Sequence, residues 1–451
     1  IGGFPDGHDW SFELVRVVEY REALLDGQFP PAWAPDLYGG YGSPIFLFYA
    51  PAYSFLAALL SMLFGSVPVG AVGALLFFGA AAVAATRSMS RAVAGAEPPE
   101  AGRVAFYLLL LNPYLLGDLL LRNADAEFAA LCLAPLVLAG LLASRERPSR
   151  ALPLLAAGLG ALIVTHNLTA LAFAGLLAAG APLAIRGGRG RRSWIALGGG
   201  TLLGLGLAAF FWVPALRMTP LVRPSELLTG KFDFHGQFPP PHRLFAYEPF
   251  YGTGLLVPLL LLLGIGVAAR AVRRRSARAP LLVGVLASAA GLLFLATPAS
   301  LALWERVPLL PFFQFPWRML GPLAVLVSLL GVFLWAEIAE GRSRRARLWM
   351  ELAVVGLCLA NAGPRLLDYR PLAQPVRAGL EEQLRPETIR HAGHSATVGD
   401  EYLPRAADDR VWRERRRREG PVVASTVPVR LELLGDRGTR SLLRIEACLL
   451  Y

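Results

Sequence analysis

The sequence predicts an all-α polytopic membrane protein with about ten transmembrane helices, one re-entrant or interfacial helix, and a small C-terminal extracytoplasmic α+β domain. Three observations point to that class. The 451 residues are 55% hydrophobic and only 17% charged, with a mean hydropathy of +0.49, whereas soluble domains carry about 25% charged residues. A series of apolar runs approaches the roughly 20 residues that a helix needs to cross a bilayer. Short arginine runs recur at every second link between those segments, the pattern of cytoplasmic loops.

The first 44 residues are polar enough for water, yet they interleave Trp10, Phe29, Trp33, Tyr38 and Tyr41 with Pro30, Pro31, Pro35 and Pro44. Such aromatics suit a membrane–water interface. A helix is expected from Trp10 to Leu25. The stretch 45–66 is also apolar, but Pro44, Pro51 and the aromatics at its start, and Gly65 at its end, mark it as re-entrant or interfacial. Residues 1–66 then form a first extracytoplasmic loop, and one helix ahead of Ile1 would be needed to bring the N-terminus inside.

Spans follow near 70–86, 103–117, 127–143, 151–166, 168–185, 194–215, 252–269, 280–297, 320–338 and 348–362, so that 67–362 is the membrane domain. The basic links hold Arg87, Arg91 and Arg103; Arg145, Arg147 and Arg150; Arg186 to Arg192; Arg270 to Arg278; and Arg342 to Arg347. They alternate with links lacking such runs, which places the latter outside. The tail, 363–451, turns charge-rich with mixed signs. A basic helix is expected over 413–419, and 422–434 and 441–450 alternate like strands. This tail reads as a small extracytoplasmic α+β domain cut short at Tyr451.

Composition also excludes some functions. Net charge is +11 and Lys231 is the sole lysine, but the arginines fall in short runs between spans rather than along one face, which argues against nucleic acid. Cys132, Cys358 and Cys448 have no metal-like spacing. There is no phosphate-cradling glycine loop followed by lysine, no metalloprotease helix and no serine elbow, which argues against ATP-driven transport by this chain alone.

The candidate chemistry gathers on the outer links. Asp9 and Glu13, four apart on the first helix, share a face, with His8 beside them. Asp9 could equally cap that helix. Asp125 and Glu127 form a second acidic pair after Arg122. Two acidic motifs on separate loops could hold a divalent cation, magnesium or manganese, through Asp9, Asp125 and Glu127. Alternatively, one carboxylate deprotonates an acceptor hydroxyl, or the second pair simply caps its helix and binds Arg122. His166 stands in a tight outer turn, suited to acid–base work or to a plain hydrogen bond. Arg318 beside Trp317 suits a phosphate or an interfacial anchor. The long link 216–251 offers Lys231, Asp233, His235, His242, Arg243 and Glu248, which the sequence does not rank.

These motifs resemble the GT-C superfamily of integral-membrane glycosyltransferases. The resemblance lies in the first-loop acid, Trp33-Ala34-Pro35, the run Gly39-Gly40-Tyr41-Gly42-Ser43-Pro44, the interfacial helix, and the acids at 125 and 127. Within it, the chain is similar to a bacterial membrane family labelled "6-pyruvoyl-tetrahydropterin synthase-related", although nothing here looks like the soluble pterin enzyme. Glu401-Tyr402-Leu403-Pro404 also resembles the outer domain of bacterial proteins that glycosylate teichoic acids. The resemblance implies a polyprenyl-phosphate-linked sugar donor and a glycan, lipid or protein acceptor. It also implies transfer on the outer face of a bacterial cytoplasmic membrane. It makes Asp9 the first-loop catalytic acid, and Asp125 or Glu127 the second motif. Family members often carry a histidine four residues after the first aspartate, where this chain has Glu13. Some members need a divalent metal and others do not.

The expectation is therefore a glycosyltransferase with Asp9, Glu13 and His8 at the chemistry and Arg122, Asp125, Glu127, His166, Trp317 and Arg318 at the substrate. A transporter or flippase for a lipid-linked glycan would also want many spans and outer arginines. Its site should lie toward mid-membrane on broken helices, whereas these acids lie at the rim. A non-catalytic scaffold needs none of them.

Overall fold

The computed structural model describes residues 5–94, 99–186, 188–248, 250–371, 374–394, 397, 402, 404 and 405. Among them, seven helices are long and apolar enough to cross a membrane, and ten if each of three bent pairs counts as one span. These are Val67–Val93, Asp125–Glu146, Pro148–Thr165, Asn167–Arg186, Leu256–Arg273, Pro316–Ala339 and Arg344–Leu367, with the pairs at 99–122, 191–221 and 279–306. They fall on the ten expected segments one for one.

The bent pairs were expected as continuous helices, and the reason for two of the breaks is local. Pro99–Leu110 and Pro113–Arg122 meet at 47° because Asn112 caps the second half, its Oδ1 accepting from the Tyr114 N–H at 2.9 Å, with Pro113 at the first helical position. Proline there lacks an N–H and clashes with a preceding turn. Pro298 acts alike where Ala279–Leu295 turns by 91° into Pro298–Arg306. The third pair, Arg191–Leu207 and Ala209–Leu221, bends by 69°.

Asp125–Glu146 and Pro316–Ala339 are apolar on nearly every side and almost wholly buried, so they form the centre of the bundle. The outer spans present Leu76, Phe77, Leu202 and Leu262 outward, as lipid-facing surfaces do. Small residues let the helices close. A Cβ on Gly140 would lie 2.9 Å from the Leu155 nitrogen, and one on Gly158 would lie 3.0 Å from the Val137 nitrogen.

The first-loop helix runs from Trp10 to Leu25 as expected. Ala52–Phe64 has 13 residues, about 20 Å of helix, which is short of a hydrocarbon core of about 30 Å. It ends at Gly65 in the left-handed region (φ 68°) and packs on Val67–Ala94 and the first-loop helix. A Cβ on Gly70 would sit 2.5 Å from the Ala57 carbonyl.

The described part of the tail is helical, Gln374–Gln383 and Pro386–Ala392. The expected strands at 422–434 and 441–450 and the basic helix at 413–419, and with them the α+β domain, lie outside the described residues. The tail lies against the first loop. Arg390 Nε donates to Asp36 Oδ1 at 2.7 Å, the Tyr38 N–H to the His394 carbonyl at 2.8 Å, and the Asp6 N–H to the Arg370 carbonyl at 2.9 Å. By connectivity, the first loop and the links at 117–125, 166, 222–251 and 307–318 share one end of the bundle. Arg103 and Glu351, paired at 2.6 and 2.7 Å, mark the other.

Candidate active site

Two loops at one end of the bundle are joined backbone to backbone. The His8 and Asp9 N–H groups donate to the Leu121 and Arg122 carbonyls, each at 2.9 Å. Gly7 permits this approach, since a Cβ there would fall 1.9 Å from Asn123 Oδ1 and 2.9 Å from the Leu121 carbonyl. Residues Asp118–Arg122 make one π-helical turn closed by Asn123 in the left-handed region (φ 55°). Local π geometry of this kind is frequent at functional sites.

Beside this junction lies a cavity of about 730 Å³, lined by His8, Asp9, Arg16, Arg122, His166, Lys231, Trp317 and Arg318 among other residues. Phe48, Tyr49, Phe250, Tyr251 and Phe315 supply apolar wall. Tyr251 and Phe315 stack on Trp317, with centroids at 6.1 and 5.1 Å.

Behind one wall is a first ionic cluster. Arg16 Nη2 donates to Glu13 Oε1 at 2.5 Å, and its guanidinium lies 4.1 Å from the Tyr49 ring centroid. The Tyr53 hydroxyl donates to Asp125 Oδ2 at 2.5 Å, while Asp125 Oδ1 has no hydrogen-bond partner. Burial pushes the Glu13 carboxyl up, to about 8, against the Arg16 charge and with the neighbouring Asp125 and Asp9 carboxylates. Asp9 differs from both acids. Its side chain is 40% exposed and hydrogen-bonds His8 Nδ1 at 2.6 Å. It stands at the N-cap position without a capping side-chain bond.

The second cluster surrounds Arg122. This guanidinium donates to Asp118 Oδ1, to Glu127 Oε2 at 3.1 Å and to the Tyr114 hydroxyl at 3.4 Å. Tyr114 in turn donates to Glu127 Oε1 at 2.6 Å. Arg122 also lies 4.6 Å from the Trp317 ring centroid. Arg318 is held by the Phe313 carbonyl at 3.1 Å and Gln314 Oε1 at 3.2 Å, with its Nε 3.9 Å from Glu127.

Of the residues expected from the sequence, His8, Asp9, Arg122, His166, Trp317 and Arg318 line one cavity, and Glu13, Asp125 and Glu127 do not. Glu13 is 3% exposed and engaged by Arg16, so its shared face with Asp9 does not bring it to the opening. Asp125 and Glu127, two apart on a helix, point in different directions, one to Tyr53 and the other to Arg122. The three-carboxylate metal set of Asp9, Asp125 and Glu127 therefore does not assemble. Among the described residues no group of three or more His, Cys, Asp or Glu side chains could hold a metal ion.

No protein-family model matches this chain. No curated protein matches it either. Among solved structures it is similar to the oligosaccharyltransferase of Archaeoglobus fulgidus, determined with a tethered acceptor peptide containing the NVT sequon. The likeness has 13% sequence identity and a TM-score of 0.47, and it covers 90% of this chain and 57% of that one. The chain thus spans little more than half the length of that protein.

Sequence reasoning missed Arg16, Tyr53 and Tyr114 and left Lys231 unranked. Arg16 carried a legible signal, a cation one helical turn beyond Glu13. The tyrosines carried none, because Tyr53 meets Asp125 72 positions away and Tyr114 meets Glu127 13 positions on, across the π turn.

Proposed function

We propose that this protein is a membrane glycosyltransferase of GT-C type, moving a sugar from a polyprenyl-phosphate-linked donor to an acceptor hydroxyl at the extracytoplasmic face. One observation supports it above the others. A half-exposed carboxylate, Asp9, opens onto the same cavity as Lys231 and Arg318, and neither cation has a carboxylate within hydrogen-bond distance among the described residues. Arg16 and Arg122 are instead matched by Glu13, Asp118 and Glu127.

A lipid-linked donor arrives with an activated anomeric carbon. The protein has to take the acceptor proton, stabilise the departing phosphate and align the two. Asp9 accepts the proton as the acceptor atom attacks the anomeric carbon and the bond from that carbon to the phosphate oxygen breaks. His8, bonded to Asp9 and open to solvent, relays the proton outward. Arg318 and Lys231 take up the charge that develops on the phosphate, and the Trp317 wall excludes water. Glu127, committed to Arg122 and Tyr114, is not free to hold a divalent cation. The transporter reading would put its substrate at a mid-span break. Three spans are broken among the described residues, and none of the residues at those breaks lines the cavity that holds Asp9, Lys231 and Arg318.

The test is sugar transfer from a synthetic polyprenyl-phosphate donor in membranes containing the protein, wild type against Asp9→Asn at matched expression. Loss of a positioned general base lowers the rate by about 10²–10⁴-fold. Undiminished transfer by the mutant would remove Asp9 from the chemistry. Absence of transfer by either protein across a donor panel would favour the transporter.

A further inference from the structure

His166 ends the span Pro148–Thr165 with extended backbone (φ −158°, ψ 112°), and it lines the cavity. Its Nδ1 lies 2.8 Å from the Thr169 hydroxyl oxygen and accepts the Thr169 backbone N–H at 3.4 Å. A backbone N–H can only donate, so Nδ1 is the unprotonated nitrogen, and the neutral ring carries its hydrogen on Nε2. With Nδ1 engaged by the buried Thr169, Nε2–H is the group left for the cavity.

The charges around the ring come from three other elements: Glu127 on the central span, Arg318 in the first turn of Pro316–Ala339, and Arg122 on the π turn. Burial holds His166 well below its ordinary value, at about 4, against the Glu127 carboxylate and with both guanidiniums. That shift favours the neutral ring at physiological pH.

We infer that His166 is a fixed-tautomer, uncharged hydrogen-bond donor to an oxyanion in this cavity, and that Thr169 is the positioning residue that sets its tautomer. The inference rests on reading the cavity as the site of the donor phosphate, and it assigns that phosphate a contact beyond the two cations. Lys231 and Arg318 supply charge. His166 Nε2 supplies one directed N–H to a phosphoryl oxygen and transfers no proton. A neutral donor adds no further repulsion beside Arg122 and Arg318, which an imidazolium would. Directed donors of this kind, aimed where charge develops, are how acyl- and phosphoryl-transfer sites stabilise a leaving oxyanion.

Two pairs of variants test it in the purified full chain. Glutamine places an amide N–H near the position of Nε2, and asparagine places one near Nδ1. His166→Gln should therefore keep the affinity for inorganic sulfate and for a short-chain polyprenyl monophosphate within about threefold, while His166→Asn weakens both by tenfold or more. Thr169→Val should weaken binding about fivefold and Thr169→Ser should restore it, with melting curves confirming that each variant is folded. Sulfate keeps a constant charge from pH 5 to 7.5, so the binding profiles of wild type and His166→Gln should superimpose over that window. An extra acid limb in the wild type alone would show a titrating imidazole and overturn the neutral-donor assignment. Equal binding by His166→Asn and His166→Gln would overturn the Nε2 contact, and an unchanged Thr169→Val would overturn the positioning role. Because these readouts are affinities, they are separable from the transferase reading. If wild type transfers no sugar but this binding pattern holds, the oxyanion site stands and the reaction assigned to it falls.

Discussion

At Gly7 a single missing Cβ decides where the candidate base stands. The loop carrying Asp9 approaches the Arg122 turn so closely that a methyl group would fall on buried Asn123 and on the Leu121 carbonyl. Overpacking of this kind typically costs about 1–3 kcal/mol. Gly7→Ala should lower the melting temperature and reduce sugar transfer at least tenfold, and normal transfer by the mutant would show that the two loops need not be joined. A second residue-scale expectation concerns Glu19. It is fully buried, its Oε2 accepts the Asp36 N–H at 3.0 Å, and its Oε1 has no hydrogen-bond partner. Burial raises it to about 8 from an ordinary 4.5, with Asp36 pushing the same way. The folded state thus holds this proton where the unfolded chain releases it. Its contribution to stability is complete below about pH 4.5 and is lost as pH rises toward 8, with a slope of up to about 1.4 kcal/mol per pH unit. Glu19→Gln keeps an acceptor for Asp36 and removes the titration, so the fall in melting temperature from pH 5 to 8 should shrink. It should not vanish, because Glu13 is raised in the same direction. An unchanged slope would exclude Glu19 as its source.

At the scale of elements, the last span holds a wall of the cavity from behind. Asn361 Oδ1 accepts from the Tyr247 hydroxyl and the Leu256 N–H, each at 3.1 Å, and its Nδ2 donates to the Thr253 carbonyl at 3.2 Å. Arg365, fully buried one turn on, donates from Nη2 to the Tyr251 carbonyl at 2.6 Å and to the Glu248 carbonyl. Together they fix the link that carries Phe250 and Tyr251 into the cavity. Removing a buried partner leaves polar groups unsatisfied, at about 1–3 kcal/mol. Asn361→Ala should therefore lower the melting temperature and raise KM for the donor more than it lowers kcat. A fall in kcat alone would argue against a role in shaping the wall. The spans themselves were legible from the sequence because apolar length is a local property. The breaks were less so. Pro113 and Pro298 are visible in the sequence, but proline is tolerated inside Pro148–Thr165 at Pro153 and inside Asn167–Arg186 at Pro182, so its presence alone does not say which helix bends.

At the scale of the whole molecule, the alternating arginine links predict that the cavity end faces outward. In a background without native cysteines, a cysteine at Gly236 should react with a membrane-impermeant maleimide in intact cells, and one at Ser343 only after permeabilisation. Labelling of position 343 in intact cells would reverse the orientation. The amino-acid order alone pointed to a multi-span helical protein, to the ten segments and to the end of the bundle where the acids collect, because hydropathy and loop charge act over a few residues at a time. It also placed Asp9, Arg122, His166, Trp317 and Arg318 among the residues of interest. Only the tertiary structure decided which carboxylates stay open and which are spent. Glu13, Asp125 and Glu127 look as available as Asp9 in the sequence, yet Arg16, Tyr53, Tyr114 and Arg122 engage all three, three of those contacts being made between residues up to 72 positions apart or across the π turn. Whether a charge is free is a property of its burial and its partners, and the partners that matter most here meet only when the loops are folded together.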